Sequence, residues 1–266
     1  MTMNRLTLFL LTLLCPAMFS HGQQWSGCPI VIDLEGKSFD GAFTDVQHGV
    51  AFDYVHAGDP VQIAWTEPGR NIGFLVLNRH GDQSPGKDEH LNVLTFFKIR
   101  EEWKKQAASG TTPGGEPATF HVASSREMFG GLTNQPLSQQ EADIELAKNP
   151  PEPHRSDGFH ALSFFDRTEN GGNGNGVIDA GDLVFSHLRV WVDTAHNGRS
   201  EDGRMYSLPE LGIQYISLNY TSTERVDRYG NKTQQLGKVG MVNAVQTPFA
   251  IYDVCLRLRR NPPGSH

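Results

Sequence analysis

A chain of 266 residues, 38% of them hydrophobic, is long enough to bury a substantial core in one large domain or two small ones. The formal net charge of −7 argues against a nucleic-acid partner, because binding to phosphates needs clustered Lys and Arg side chains. The 28 glycines and 15 prolines favour many turns over long helices.

Residues 1–22 predict a secretory signal peptide. Arg5 supplies a positive start, residues 6–14 form a mainly apolar run, and small residues near position 22 offer a cleavage point. The run is too short to span a bilayer stably. A lipoprotein anchor at Cys15 is an alternative, although the preceding leucine is not the small residue that such processing needs. We therefore expect an exported protein, periplasmic or extracellular, with no membrane contact after removal of the signal.

Export also determines the redox environment of the cysteines. Removal of the signal leaves Cys28 and Cys255, and an oxidising compartment makes a disulfide between them plausible. Two unpaired buried thiols fit the sequence about as well. A zinc site is disfavoured, since the two cysteines lack a matching pair of histidines.

Along the mature chain, residues 29–77 alternate in the manner of strands, and the apolar run at 74–77 predicts a central strand. Residues 88–106 have apolar positions at helical spacing and predict an amphipathic helix within an atypical insertion at about 88–157. Residues 213–258 predict further strands. Residues 23–266 are thus expected to form one α+β domain, rich in strands, with short helices around EF-hand-like loops and the inserted amphipathic helix.

The segment after residue 170 has the spacing of a calcium-binding loop. An EF-hand loop presents oxygen ligands at positions 1, 3, 5, 7, 9 and 12 and has glycine at position 6. With Gly176 at position 6, oxygen-bearing groups fall at Asn173, Asn175, Val177 (through its carbonyl), Asp179 and Asp182. Position 1 falls on Gly171, so the first ligand has to be Asp166, brought in across an insertion. The alternative is a plain Asn/Gly turn without metal.

A second loop has the same outline with fewer ligands. Asp193, Asn197 and Glu201 fall at positions 1, 5 and 9, whereas Arg204 at position 12 offers no oxygen. We interpret this loop as a structural relic that could at most hold a loosely bound ion.

At the first loop, the small number of charged ligands predicts weak calcium binding, with a dissociation constant of about 10⁻⁴–10⁻³ M.

Several segments occur in an order that resembles a known family. They are VIDLEGKSFD, GVAFD, GFLVLNRHGD, EMFGG, DGFHALSFFD, NGNGVIDAGDLVFSHLRVW and LPELGI. Together they are similar to secreted bacterial proteins with haemolysin-type (RTX-associated) calcium-binding segments. The resemblance implies several calcium sites, of which residues 173–182 keep the pattern best. At the first of the family's sites, Asn78 stands where the family has aspartate.

Catalytic motifs are missing from the sequence. The eleven histidines include no HExxH pair, and there is no GxSxG nucleophile elbow or phosphate-binding glycine loop. The favoured interpretation is an exported structural or interaction module that binds calcium as a structural cofactor and meets an unidentified protein or surface partner. The alternative is a secreted hydrolase or toxin-like enzyme with its site in residues 88–157.

Overall fold

The computed structural model describes residues 28–37, 39–54, 60–77, 93–110, 158–200, 203–242 and 249–259, together with Val122 and Met128. The predicted signal peptide and most of the atypical insertion lie outside these ranges.

Most described strands belong to one large antiparallel sheet. They are β1 Ile30–Asp33, β4 Ile72–Leu77, β5 Val177–Asp179, β6 Leu188–Val192, β7 Arg204–Ser207, β8 Ile213–Ser217, β9 Thr221–Val226, β10 Lys232–Met241 and β11 Ala250–Cys255. In the described part of the chain the order is β5-β8-β10-β11-β1-β4-β6-β7, with β9 pairing to β10. The sheet curls into a half-barrel. Three further strands, β2 Val50–Phe52, β3 Val61–Ile63 and β12 Leu258–Arg259, form a small sheet in the order β12-β3-β2.

The centre of the large sheet is buried on both faces. Successive residues of a strand point to opposite faces, and here neighbours in β1 and β4 enter two different hydrophobic clusters. Ile32 and Leu75 join the cluster that contains the helices, whereas Val31 and Phe74 join the cluster beneath the small sheet. This double burial explains why β4 is an unbroken apolar run, as the sequence predicted for a central strand.

Two α-helices occur among the described residues. Helix α1 spans Val93–Ser109, close to the predicted amphipathic helix, and α2 spans Gly158–Asp166. The remaining helical turns are short 3₁₀ segments at Thr168–Asn170, Leu183–His187 and Pro209–Leu211. In the described ranges, no helix is both long and apolar enough to cross a bilayer.

The prediction of an α+β domain with helices around EF-hand-like loops is therefore wrong. An EF-hand places its loop between two α-helices. Here α2 ends at Asp166, the first residue of the candidate loop 166–182. Strand β5 lies within that loop, and a 3₁₀ turn follows the loop. The local pattern could not reveal this, because β5 forms by pairing to β8, which lies about 40 residues further along the chain. The pairing runs from Val177↔Ser217 to Asp179↔Tyr215.

The predicted disulfide is confirmed. Cys28 and Cys255 are bonded across a sequence separation of 227 residues. The bond lies where β1 begins and β11 ends, and these two strands pair from Ile30↔Asp253 to Asp33↔Ala250. Cross-linking therefore joins two neighbouring strands at the centre of the sheet.

Candidate metal-binding loop

Helix α2 brings the first predicted ligand to the loop. Phe159, Leu162 and Phe165 are buried in the core and hold the helix on the sheet. At its start, the backbone N–H of Gly158 donates to the Oδ2 of Asp253 at 2.9 Å. Asp166 is the last residue of the helix and is only 8% exposed. The packing of α2 thus fixes where the Asp166 carboxylate sits.

Asp166 takes the place in the loop that the numbering assigned to Gly171. Its Oδ1 accepts the N–H of Asn175 at 3.1 Å, and its Oδ2 accepts the N–H of Gly176 at 2.9 Å. The chain returns to Asp166 through Gly172, where an added Cβ would lie 2.2 Å from the Asp166 carbonyl oxygen. Only glycine permits that approach. The inserted residues include the 3₁₀ turn Thr168–Asn170, while Asp166 and residues 173–182 close one loop.

The two asparagines hold the middle of the loop. The Oδ1 of Asn173 accepts the N–H of Asn175, and the Oδ1 of Asn175 accepts the N–H of Val177, each at 3.0 Å. Their side-chain amides donate to the carboxylate of Asp179 at 3.4 and 3.0 Å. Such side-chain contacts to the backbone two residues ahead form tight turns. Gly176, with φ of +82°, supplies the left-handed turn at position 6.

Asp182 closes the loop from its far end. Its Oδ1 accepts the N–H of Asn173 at 3.1 Å, and its Oδ2 accepts the N–H of Asp179 at 2.8 Å. Burial raises the pKa of Asp182, and the negative charges of Asp166 and Asp179 raise it further, against the lowering effect of the two N–H donors. The charges of Asp166 and Asp179 therefore disfavour ionisation of Asp182.

The structure thus brings together Asp166, Asn173, Asn175, Asp179 and Asp182, with Val177 beginning β5 beside them. Among the described residues, no group of three or more His, Cys, Asp and Glu side chains could by itself hold a metal ion. A cation here would need the asparagine oxygens and a backbone carbonyl as well as carboxylates. All of these donors are oxygens, which fits a hard cation such as calcium and does not fit zinc.

The second loop is closed by protein donors. Asp193 is 1% exposed, and its Oδ2 accepts the indole Nε1–H of Trp65 at 2.8 Å and the N–H of Gly198 at 2.7 Å. Its Oδ1 is buried and has no hydrogen-bond partner in the described part of the chain. The Oδ1 of Asn197 accepts the N–H of Arg199 at 2.9 Å. Arg204 begins the edge strand β7, and Glu201 lies outside the described residues.

Trp65 is a hydrogen-bond partner of Asp193 that the sequence did not reveal. It lies 128 residues from Asp193, and its contact depends on the packing of the small sheet against β6. The aromatic cluster of Phe52, Trp65, Phe74 and Trp191 is buried at this interface. Only the alternating apolar pattern around residue 65 hinted at burial. Of the two loops, therefore, the second one is held by long-range packing.

His187 lies at the end of the 3₁₀ turn that follows Asp182. It is 1% exposed and stacks on Trp103 of α1, with ring centroids 4.1 Å apart and an angle of 16° between the planes. Burial, with a smaller contribution from the charge of Arg189, lowers the pKa of His187 to about 3. This histidine is therefore a neutral part of the core at neutral pH.

We expect acid to destabilise the protein through His187. In the unfolded chain this histidine binds a proton below about pH 6.5, whereas the folded chain resists protonation down to about pH 3. Stability therefore falls as the pH drops through this window, by about 2 kcal/mol between pH 7 and pH 5. Urea unfolding of wild type and His187→Phe at both pH values measures it. Equal losses in the two proteins would contradict the assignment.

Most of the segment proposed for an alternative enzyme site lies outside the described residues. Residues 111–121 and 129–157 are among those outside.

Comparison with known proteins identifies a domain family and a relative. The model of the SPM domain matches residues 121–257, which include both loops and most of the large sheet. The iron-regulated protein FrpA of Neisseria meningitidis serogroup C is 36% identical over 209 residues. That alignment covers 79% of this chain but 14% of FrpA, so the chain spans a small part of that relative's length.

Proposed function

The chain belongs to the SPM-domain family, and from this membership and the geometry of residues 166–182 we propose that it is an exported calcium-binding module. Calcium acts in this proposal as a structural cation that stabilises the folded state. The module then serves as a scaffold or as an interaction surface for a protein or surface partner, and no catalytic step is assigned to it.

One observation carries the proposal. Asp166 accepts the N–H groups of Asn175 and Gly176 across the insertion, which supports the proposal that its carboxylate serves as the first ligand. In the proposal, Asp179 and Asp182, whose carboxylates accept N–H groups of the same loop, supply the ligands at positions 9 and 12. A plain Asn/Gly turn needs no third carboxylate, and gathering three of them costs electrostatic energy that a divalent cation would offset.

Calcium would act on stability by linkage. It binds the folded loop in preference to the unfolded chain, so its binding free energy adds to the free energy of unfolding. With a dissociation constant of about 0.5 mM, 5 mM calcium would contribute about 1.4 kcal/mol. For a chain of this size that corresponds to a rise in melting temperature of about 3–5 °C.

Export is supported by the disulfide between Cys28 and Cys255, because such bonds persist in oxidising compartments and are rare in the cytosol. Extracellular fluids also hold calcium at the millimolar concentrations that a weak loop requires.

Melting with calcium tests the proposal. The purified, oxidised chain is first treated with a chelator and then melted in 5 mM CaCl₂ and in 5 mM MgCl₂. We expect calcium to raise the melting temperature by about 3–5 °C and magnesium to have a smaller effect, since magnesium demands a more rigid octahedral site.

The double variant Asp179→Ala with Asp182→Ala is expected to lose the calcium response. Its matched control is Asp40→Ala with Glu224→Ala, which removes the same charge from exposed positions. The control should respond to calcium like the wild type. If the wild type melts at the same temperature with and without 5 mM calcium, the proposed calcium binding is wrong.

A further inference from the structure

We propose that calcium at residues 166–182 controls the docking of helix α1 onto the domain. This inference rests on the proposed calcium function and adds a consequence to it: the inserted helix is held more firmly when the loop is occupied.

The described contacts of α1 fall on elements that flank the loop. Trp103 stacks on His187 at 4.1 Å and lies 6.5 Å from the ring of Phe165. The guanidinium of Arg100 donates to the backbone carbonyl of Glu169. Phe165 directly precedes Asp166, and Glu169 lies in the 3₁₀ turn between Asp166 and Asn173. His187 ends the 3₁₀ turn that begins after Asp182.

Trp103 therefore packs between the two ends of the loop. It is 2% exposed and belongs to the same hydrophobic cluster as Phe165 and Val184. One wall of its site comes from α2 and the other from the turn after Asp182. Burial of a tryptophan depends on close packing on both sides, so the site needs these two elements at a fixed separation.

The loop connects these two elements. Asp166 is attached to the first wall, and Asp182 is attached to the second. Both carboxylates accept N–H groups of the same loop, Asp166 those of Asn175 and Gly176, and Asp182 those of Asn173 and Asp179. A cation shared by Asp166 and Asp182 would hold the two walls together and leave the Trp103 site formed in advance.

Linkage makes this coupling reciprocal. If calcium strengthens the docking of α1 by a given factor, docking strengthens calcium binding by the same factor. Loosening the helix from outside the loop should therefore weaken calcium binding, although α1 supplies no ligand. If the docking of α1 is independent of the loop, loosening the helix leaves the calcium dissociation constant unchanged.

Hydrogen exchange followed by mass spectrometry tests the inference. The oxidised chain is compared with and without 5 mM CaCl₂, and exchange of the amides at 93–109 is expected to slow at least about fivefold with calcium. The variant Asp179→Ala with Asp182→Ala should abolish the change. In parallel, melting temperature against calcium concentration gives the dissociation constant for calcium.

The reciprocal arm uses variants on α1. Trp103→Ala is expected to raise the calcium dissociation constant about fivefold or more, and Lys105→Ala, exposed on the same helix, should leave it unchanged. Should Trp103→Ala fail to fold, Arg100→Gln removes the contact to Glu169 with less loss of packing. Calcium binding with no change in exchange at 93–109 would overturn this inference alone. Absence of calcium binding in the wild type would overturn the proposed function and this inference together.

Discussion

Loss of the Cys28–Cys255 disulfide is expected to lower the free energy of unfolding by about 3–5 kcal/mol, the largest effect foreseen for this chain. The bond joins residues with a sequence separation of 227 and so removes many conformations from the unfolded ensemble. The corresponding fall in melting temperature is about 10–15 °C. Since β1 and β11 still pair in the sheet without the bond, the fold should survive in a weakened form.

Urea unfolding in the presence and absence of a thiol reductant measures this loss. Both cysteines are buried, so reduction is carried out on the unfolded chain before refolding. The double variant Cys28→Ala with Cys255→Ala should resemble the reduced wild type, and reductant should no longer affect it. A reduced protein within about 1 kcal/mol of the oxidised one would show that the strands alone hold the two ends of the domain.

The sequence predicted the parts of this fold that depend on local pattern and compartment. The apolar run of β4 indicated a central strand, and the two cysteines left after signal removal suggested the bond that the structure contains. Periodicity also found α1 to within a few residues. In each case the information lies within a short segment or in the composition of the chain.

Long-range pairing could not be predicted in the same way. The sheet order brings β11, near the end of the chain, beside β1 near its beginning, and places β5 at an edge through β8. By sequence alone, residues 179–186 could form a short helix of the kind that follows an EF-hand loop. Pairing to β8 turns residues 177–179 into a strand, and that pairing made the α+β expectation fail.

The loops show the same division. Spacing alone placed Asn173, Asn175, Asp179 and Asp182 in one loop and suggested Asp166 as the upstream partner, and the structure brings these residues together. Spacing also aligned Asp193 with a second loop. It could not show that the indole N–H of Trp65 donates to a carboxylate oxygen of Asp193. A motif describes which donors are available, whereas packing determines what they contact.

Replacement of Asp193 is the second change with a large expected effect. Asp193→Ala would leave two donors without their acceptor, the buried indole N–H of Trp65 and the partly buried backbone N–H of Gly198. Each unsatisfied buried donor costs about 1–3 kcal/mol, so we expect a loss of about 3 kcal/mol in the free energy of unfolding. Urea unfolding in chelator measures it.

Two further variants separate a structural role of Asp193 from a metal-binding one. Asp193→Asn keeps one side-chain oxygen to accept both N–H groups and should cost less than Asp193→Ala. Combining Asp193→Ala with Trp65→Phe should cost less than the sum of the single changes, because one buried donor is removed together with its acceptor. If the loop is structural, the loss from Asp193→Ala is the same in chelator and in 5 mM calcium. A loss that appears only with calcium would assign Asp193 to a metal site and contradict its closure by Trp65.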